Sequence, residues 1–169
     1  IDLQADTLRK AMASIGDGTK ALAIPTDVSI AEEVEKAFAR IAAEVGAPEV
    51  LVNCAGITGR TGIPAHEVDI EDFDRVYAIN LRAAFLLTRA AVKAMLPSGK
   101  GRILHVASIA GKDGNAGMLA YSAAKAGLIG MVKSAGKDYA ETGITINALA
   151  PAVIRTDMVA AMPEHPVKY

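Results

Sequence analysis

Tryptophan is absent from this chain of 169 residues, and only one cysteine, Cys54, is present. A lone cysteine cannot close an internal disulfide, so the expectation is a reducing, cytoplasmic setting. No apolar stretch reaches the ~18 residues that a membrane-spanning helix needs, and no signal peptide opens the chain. The net charge is −1 and charges of both signs are interspersed, which gives nucleic acid and anionic membranes no basic run to grip. His66, His105 and His165 are scattered and lack the spacing of metal ligands, so no metal is expected; His105, inside an apolar strand, reads as a packed side chain. Aromatic residues make up 4% of the chain while the hydrophobic fraction is 51%, so small and aliphatic side chains must fill the core. That suits close helix-on-sheet packing in one domain.

Apolar runs alternate with amphipathic stretches. Residues 20–24 read as a short strand. A helix is expected from Ser29 to about residue 45, with Ser29 and Glu32 as a capping box. Residues 50–52 form an apolar run without polar alternation, the pattern of a buried parallel strand. A long helix is expected over about 71–95, a strand over 102–107, a helix over about 119–140 and a strand over 144–147. Residues 111–117 are a polar, glycine-containing loop. Strands alternating with helices imply βαβ units and hence a doubly wound parallel sheet of Rossmann-like type, with residues 1–169 as one domain.

Within that frame Ser108 ends an apolar strand, and Tyr121 and Lys125 follow on a helix. Four residues apart, the phenol and the ammonium share a face. The crevice beyond the strand ends is where open α/β sheets bind ligands. A proton donor, a cation to tune it and a hydroxyl to hold a carbonyl oxygen suit reversible carbonyl reduction. A free phenol titrates near ~10, and a neighbouring ammonium favours its ionised form.

Five motifs in order carry a resemblance that covers nearly the whole chain. Tyr121-x-x-x-Lys125 with Ser108 upstream, Asn53-Cys-Ala-Gly56 after a strand, and Asn80 in a helix are three of them. Asp27-Val28 and the segment running from Asn147 through Pro151 to Thr156 are the others. The pattern resembles the short-chain dehydrogenase/reductase family, including its 3-oxoacyl reductases and its sugar and sugar-acid dehydrogenases. Cys54 stands where the family has a second asparagine, and Ala152 where it has glycine.

The resemblance implies a catalytic set of Asn80, Ser108, Tyr121 and Lys125, with Asn80 anchoring a water relay at an irregular stretch of its helix. It implies cofactor contacts from Asp2, Asp27, Val28, Asn53, Ala55, Gly56, Tyr121, Lys125, Pro151, Ile154 and Thr156. Asp2, at the family's acidic position after the second strand, favours NAD over NADP because a carboxylate repels a 2′-phosphate. Cys54 reads as a small buried filler without a catalytic role.

The implied function is an NAD-dependent interconversion of a secondary alcohol and a ketone on a small-molecule substrate. An NADP-dependent 3-oxoacyl thioester reductase and a non-catalytic dinucleotide-binding regulator are the alternatives. Pairing of the two long helices implies a homo-oligomer, a tetramer or a dimer, with Ala123, Ala124, Ala126, Gly127 and Gly130 as a small-residue face. The family's first strand, glycine-rich turn and last strand find no counterpart in the sequence. Upstream and downstream residues are therefore expected to supply them, and residues 20–24 are expected to have no strand to pair with in their absence.

Overall fold

The computed structural model describes residues 1–15 and 18–154. Three parallel strands make its sheet, in the order β1 (Val50–Asn53), β2 (Lys100–Val106) and β3 (Gly143–Leu149). In register, Leu51, Ile103 and Ile146 form one row, and Asn53, His105 and Ala148 the next. Side chains alternate faces along a strand, so both rows point the same way. Helices α4 (Ala83–Met95) and α6 (Leu119–Asp138) cover that face. Ile103, Ile144 and Ile146 pack there against Ala84, Met95, Leu128 and Val132. The opposite face is open, with Val50, Val52 and Leu149 more than half exposed.

Connections are helical throughout, as parallel strands require. Helix α2 (Ala31–Glu44) precedes β1 and packs on α4 through Val34, Leu86 and Leu87. Helix α3 (Ile70–Tyr77) is capped by Asp69, whose side chain accepts from the Glu71 amide. It runs into α4 through a π turn at Ala78–Arg82, so the long helix expected over 71–95 is continuous but widened around Asn80. Such turns concentrate at functional sites. Helix α1 (Ala5–Ser14) was not legible in the sequence, because only Leu8 on it is buried.

Five expectations need correction. Residues 50–52 form a strand as expected, but it is not buried on both sides: α4 and α6 cover one face, and Val50 and Val52 on the other are more than half exposed. Residues 20–24 form no strand; among the described residues, the pairing beside them is a single parallel bridge between Asp2 and Pro25. A short apolar segment needs a neighbour to become a strand, and none of the three strands lies beside it. The helix after it starts at Ala31 rather than at Ser29, and the expected capping box does not form. Instead the Ser29 amide and hydroxyl both donate to Asp27 Oδ1, and Glu33 accepts from the Asp27 amide. The loop over 111–117 is in part a helical turn, α5 (Ala110–Asp113). Cys54 is exposed, because it sits just past β1 on the sheet's open side.

Candidate active site

Ser108 stands two residues past the end of β2, and its Oγ accepts from the Ala110 amide at 3.2 Å. The next residue ties this strand end to the segment after β3, as the Ile109 amide donates to Pro151 O at 2.9 Å. Pro151 is thereby held one residue from Ser108. Helix α5 then turns back on α6 so closely that a Cβ on Gly111 would lie 2.6 Å from the Lys125 carbonyl carbon. Glycine at that point lets the serine-bearing turn rest directly on the backbone of the lysine.

Tyr121 and Lys125 lie one turn apart on α6, with Nζ 5.6 Å from the centre of the phenol ring. That is cation–π range. Lys125 is 4% exposed, and its Nζ donates to Val106 O at 2.7 Å. Burial pushes its pKa down to about 8, against a smaller opposing pull from Cys54. The helix therefore delivers a poorly solvated cation to the strand end beside the phenol.

Asn80 is fully buried on the π turn. Its Nδ2 donates to Ile57 O at 2.8 Å and to Val76 O at 2.9 Å, whereas Oδ1 has no protein donor. Gly56 meets both this oxygen and the lysine. A Cβ there would lie 2.7 Å from Asn80 Oδ1 and 3.3 Å from Lys125 Nζ. The loop after β1 thus reaches Asn80 and Lys125 only because its fourth motif residue has no side chain. An orphaned buried acceptor next to an ammonium, under a glycine backbone, has the chemistry to take the polar groups of a bound cofactor or an ordered water. The nicotinamide end of a dinucleotide fits this set.

At the other end of the expected cofactor site, Asp2 and Asp27 come together through the Asp2–Pro25 bridge and the bond from Thr26 N to Asp2 O. Asp2 Oδ1 accepts from the Gln4 amide, and Asp27 Oδ1 is occupied by Ser29. Val28 packs against the cluster of Val34 and Leu86. Arg82, two residues past Asn80, donates to Ser29 O and so joins this turn to the π segment. Ile154 is 58% exposed, and Thr156 lies outside the described residues.

Several supporting residues escaped the sequence reading. Asp72 accepts from the Arg60 amide at 2.8 Å and from Arg75 at 2.5 Å, which holds its carboxyl below the usual range, the backbone bond contributing most. It anchors the loop after Gly56. The Gly62 amide donates to Gly117 O at 2.9 Å, and a Cβ on Gly117 would come within 2.9 Å of Gly62 Cα. Two glycines at positive φ, 75° and 73°, were the available signal for that crossing. The small-residue face proposed for α6 is divided. Ala124 is buried against Val76 and Gly127 packs under Leu81, while Ala123, Ala126 and Gly130 stay exposed.

A parallel α/β sheet with serine, tyrosine, lysine and asparagine gathered at its strand ends defines a class of dinucleotide-dependent enzyme folds. A sequence model of the short chain dehydrogenases matches residues 1–166, and the chain belongs to that family. It is 42% identical over 168 residues to a 2-dehydro-3-deoxy-L-rhamnonate dehydrogenase (NAD(+)) of Sphingomonas sp. (strain SKA58), covering 99% of this chain and 66% of that protein. It is 40% identical over 153 residues to a 3-oxoacyl-(acyl-carrier-protein) reductase of Synechocystis sp. (strain ATCC 27184 / PCC 6803 / Kazusa), covering 90% of this chain and 61% of that protein. Among solved structures, the F189W actinorhodin polyketide ketoreductase with NADPH superposes with a TM-score of 0.89 at 34% identity, over 95% of this chain and 62% of that one. The chain thus spans about two thirds of the length of these relatives.

Proposed function

We propose that the protein is an NAD-dependent oxidoreductase that interconverts a secondary alcohol and a ketone, with Tyr121 as general acid and base. One observation carries this reading: Asn80 and Lys125 converge on Gly56, with Tyr121 one turn from Lys125 and the Ser108 turn laid on that lysine's backbone. When bound, the nicotinamide supplies or accepts the hydride. In reduction, Tyr121 Oη hands its proton to the carbonyl oxygen, and in oxidation it takes the proton back from the alcohol. The Ser108 hydroxyl donates to the same oxygen as charge develops on it. The Lys125 ammonium stays over the face of the phenol ring and keeps positive charge beside the reacting oxygen. Asn80 Oδ1, buried without a protein donor, holds a water on the path that returns protons to Lys125. Oxidation of NADH by a panel of small ketones and keto acids tests the reading, and failure of every ketone with both NADH and NADPH would overturn it.

Asp2 supports NAD as the cofactor, as does similarity to a dehydrogenase whose name specifies NAD(+). Replacing Asp2 by Ala is expected to narrow the preference for NAD over NADP in kcat/KM by about tenfold, as one lost charge–charge repulsion implies. A wild type that already prefers NADPH would favour the second reading, a 3-oxoacyl thioester reductase. Likeness to the Synechocystis reductase and to the NADPH-bound ketoreductase supports that alternative.

The assembly is read as a homo-oligomer, a tetramer or a dimer. Phe85 on α4 and Leu96, just past its end, are about half exposed and border a groove shared with Met131 on α6 and Tyr139, just past that helix. An apolar groove between two long helices suits an isologous contact with a second copy. Light scattering is expected to return a mass of two or four chains at micromolar concentration; a monomer would count against the contact.

A further inference from the structure

A buried polar chain runs behind the site and takes no part in the proposed proton transfer. Asn53 ends β1, His105 lies beside it in register on β2, and Thr88 approaches from α4. Their side chains are 5%, 0% and 7% exposed. Asn53 Nδ2 is 3.1 Å from His105 Nδ1, and Thr88 Oγ1 is 2.8 Å from His105 Nε2.

Each end of the chain fixes the protons of the imidazole independently. Asn53 Oδ1 accepts from the Ala55 amide at 3.0 Å, so the amide group turns its NH₂ toward His105, and Nδ1 must accept. At the other end the Thr88 hydroxyl has one proton, and Ala84 O at 2.7 Å can only accept it. Nε2 therefore donates to Thr88. Both ends demand the same neutral tautomer, and a proton on Nδ1 would face the Asn53 amide hydrogens. Burial, with the Lys125 charge second, pushes the His105 pKa down to about 4, which agrees with that geometry.

The chain leads to the site. The bond from Ala55 to Asn53 Oδ1 sets the turn that delivers Gly56 to Asn80 Oδ1 and Lys125 Nζ. The space on that side of Gly56 does not admit even a methyl group, so a tilt of the turn toward it would close the gap between its backbone and both groups. An imidazole suits the bracing role because its two nitrogens lie on opposite edges of a rigid ring, so one side chain reaches both α4 and β1.

We propose that His105 is a positioning residue for the cofactor: braced on Thr88 as the Nε2–H tautomer, it fixes the Asn53 amide and with it the turn of residues 53–56. The proposal rests on reading that turn as a nicotinamide-dinucleotide contact. Its signature is therefore dinucleotide affinity, not only fold stability.

The test uses the intact protein and its near-isosteric variants. Nitrogen-15 spectra of the wild type are expected to show His105 as Nε2–H, without titration between about pH 5.5 and 9. Calorimetry with NADH, and with NADPH as second probe, is expected to show Thr88→Ser within about twofold of the wild type and Thr88→Val weaker by about tenfold. KM for the dinucleotide should rise with the dissociation constant, while kcat changes little. An Nδ1–H or cationic His105 at neutral pH overturns the proposal, and that measurement needs no variant to fold. A Thr88→Val protein with a lowered melting temperature but unchanged affinity overturns it too, since that is what a purely structural chain would give. A wild type that binds neither dinucleotide overturns the proposed function as well, whereas binding with unchanged Thr88→Val affinity overturns this proposal alone.

Discussion

Tyr121→Phe is expected to lower turnover by ~10²–10⁴-fold, the usual cost of deleting a general acid/base, while NADH binding stays close to that of the wild type. The ring keeps its place on α6, where it packs against the cluster of Val76 and Ala124. Its face also remains available to the Lys125 ammonium. Only the hydroxyl is lost. Lys125 still donates to Val106 O, and Gly56 still lies against Asn80 and Lys125, so the cofactor side of the site keeps its shape. The loss should therefore fall on kcat with little change in the dinucleotide KM. Steady-state kinetics with a reactive ketone, paired with NADH calorimetry, separates the two. Turnover like that of the wild type in the purified variant would sink the assignment of Tyr121. A loss of binding equal to the loss of turnover would mean that the phenol holds the cofactor rather than moving a proton.

The parts of this site that could be read from sequence are those whose geometry is local. Tyr121 and Lys125 share a helix face because of their spacing, and Ser108 follows directly on its strand. The chain of Asn53, His105 and Thr88 is different. Asn53 and His105 are 52 residues apart and His105 and Thr88 are 17 apart, and only the parallel ladder of β1 with β2 and the approach of α4 bring them together. A histidine in an apolar strand announces a packed side chain, not its partners. Residues 20–24 failed as a strand for a related reason. Their apolar content is enough for a strand in a sheet, but strand formation depends on a paired neighbour that propensity cannot supply. The π turn at Ala78–Arg82 leaves no mark in the hydrophobic pattern, since Val76 and Ala83 stay on the buried face on either side of it. Only the identity of Asn80 hinted at an irregularity there.

Lys125→Met is expected to do two opposite things: to cut kcat/KM by at least about a hundredfold and to make the cofactor-free protein more stable at pH 7. The catalytic loss follows from removing the cation beside Tyr121. The stability gain follows from burial. In the folded chain the Lys125 ammonium is 4% exposed and its pKa is about 8, against 10.5 for the ordinary side chain. Between those values the unfolded state binds more protons than the folded one, so stability rises with pH across that window. The contribution of Lys125 is thus fully present above 10.5 and is lost as pH falls through 8. At pH 7 both states carry the charge, and the folded state bears a desolvation cost on the order of 3 kcal/mol. Methionine fills the same space without that cost but leaves Val106 O without its donor, a loss of about 1–2 kcal/mol. The first effect wins at pH 7 by roughly 1 kcal/mol. As pH rises the balance reverses, because the neutral amine still donates to Val106 O at no desolvation cost. Urea midpoints measured at a series of pH values should show the methionine variant ahead at pH 7. They should then show the curves converging above about pH 8 and crossing before about pH 10.5. A variant less stable than the wild type by the same margin at every pH would show that the ammonium is not desolvated.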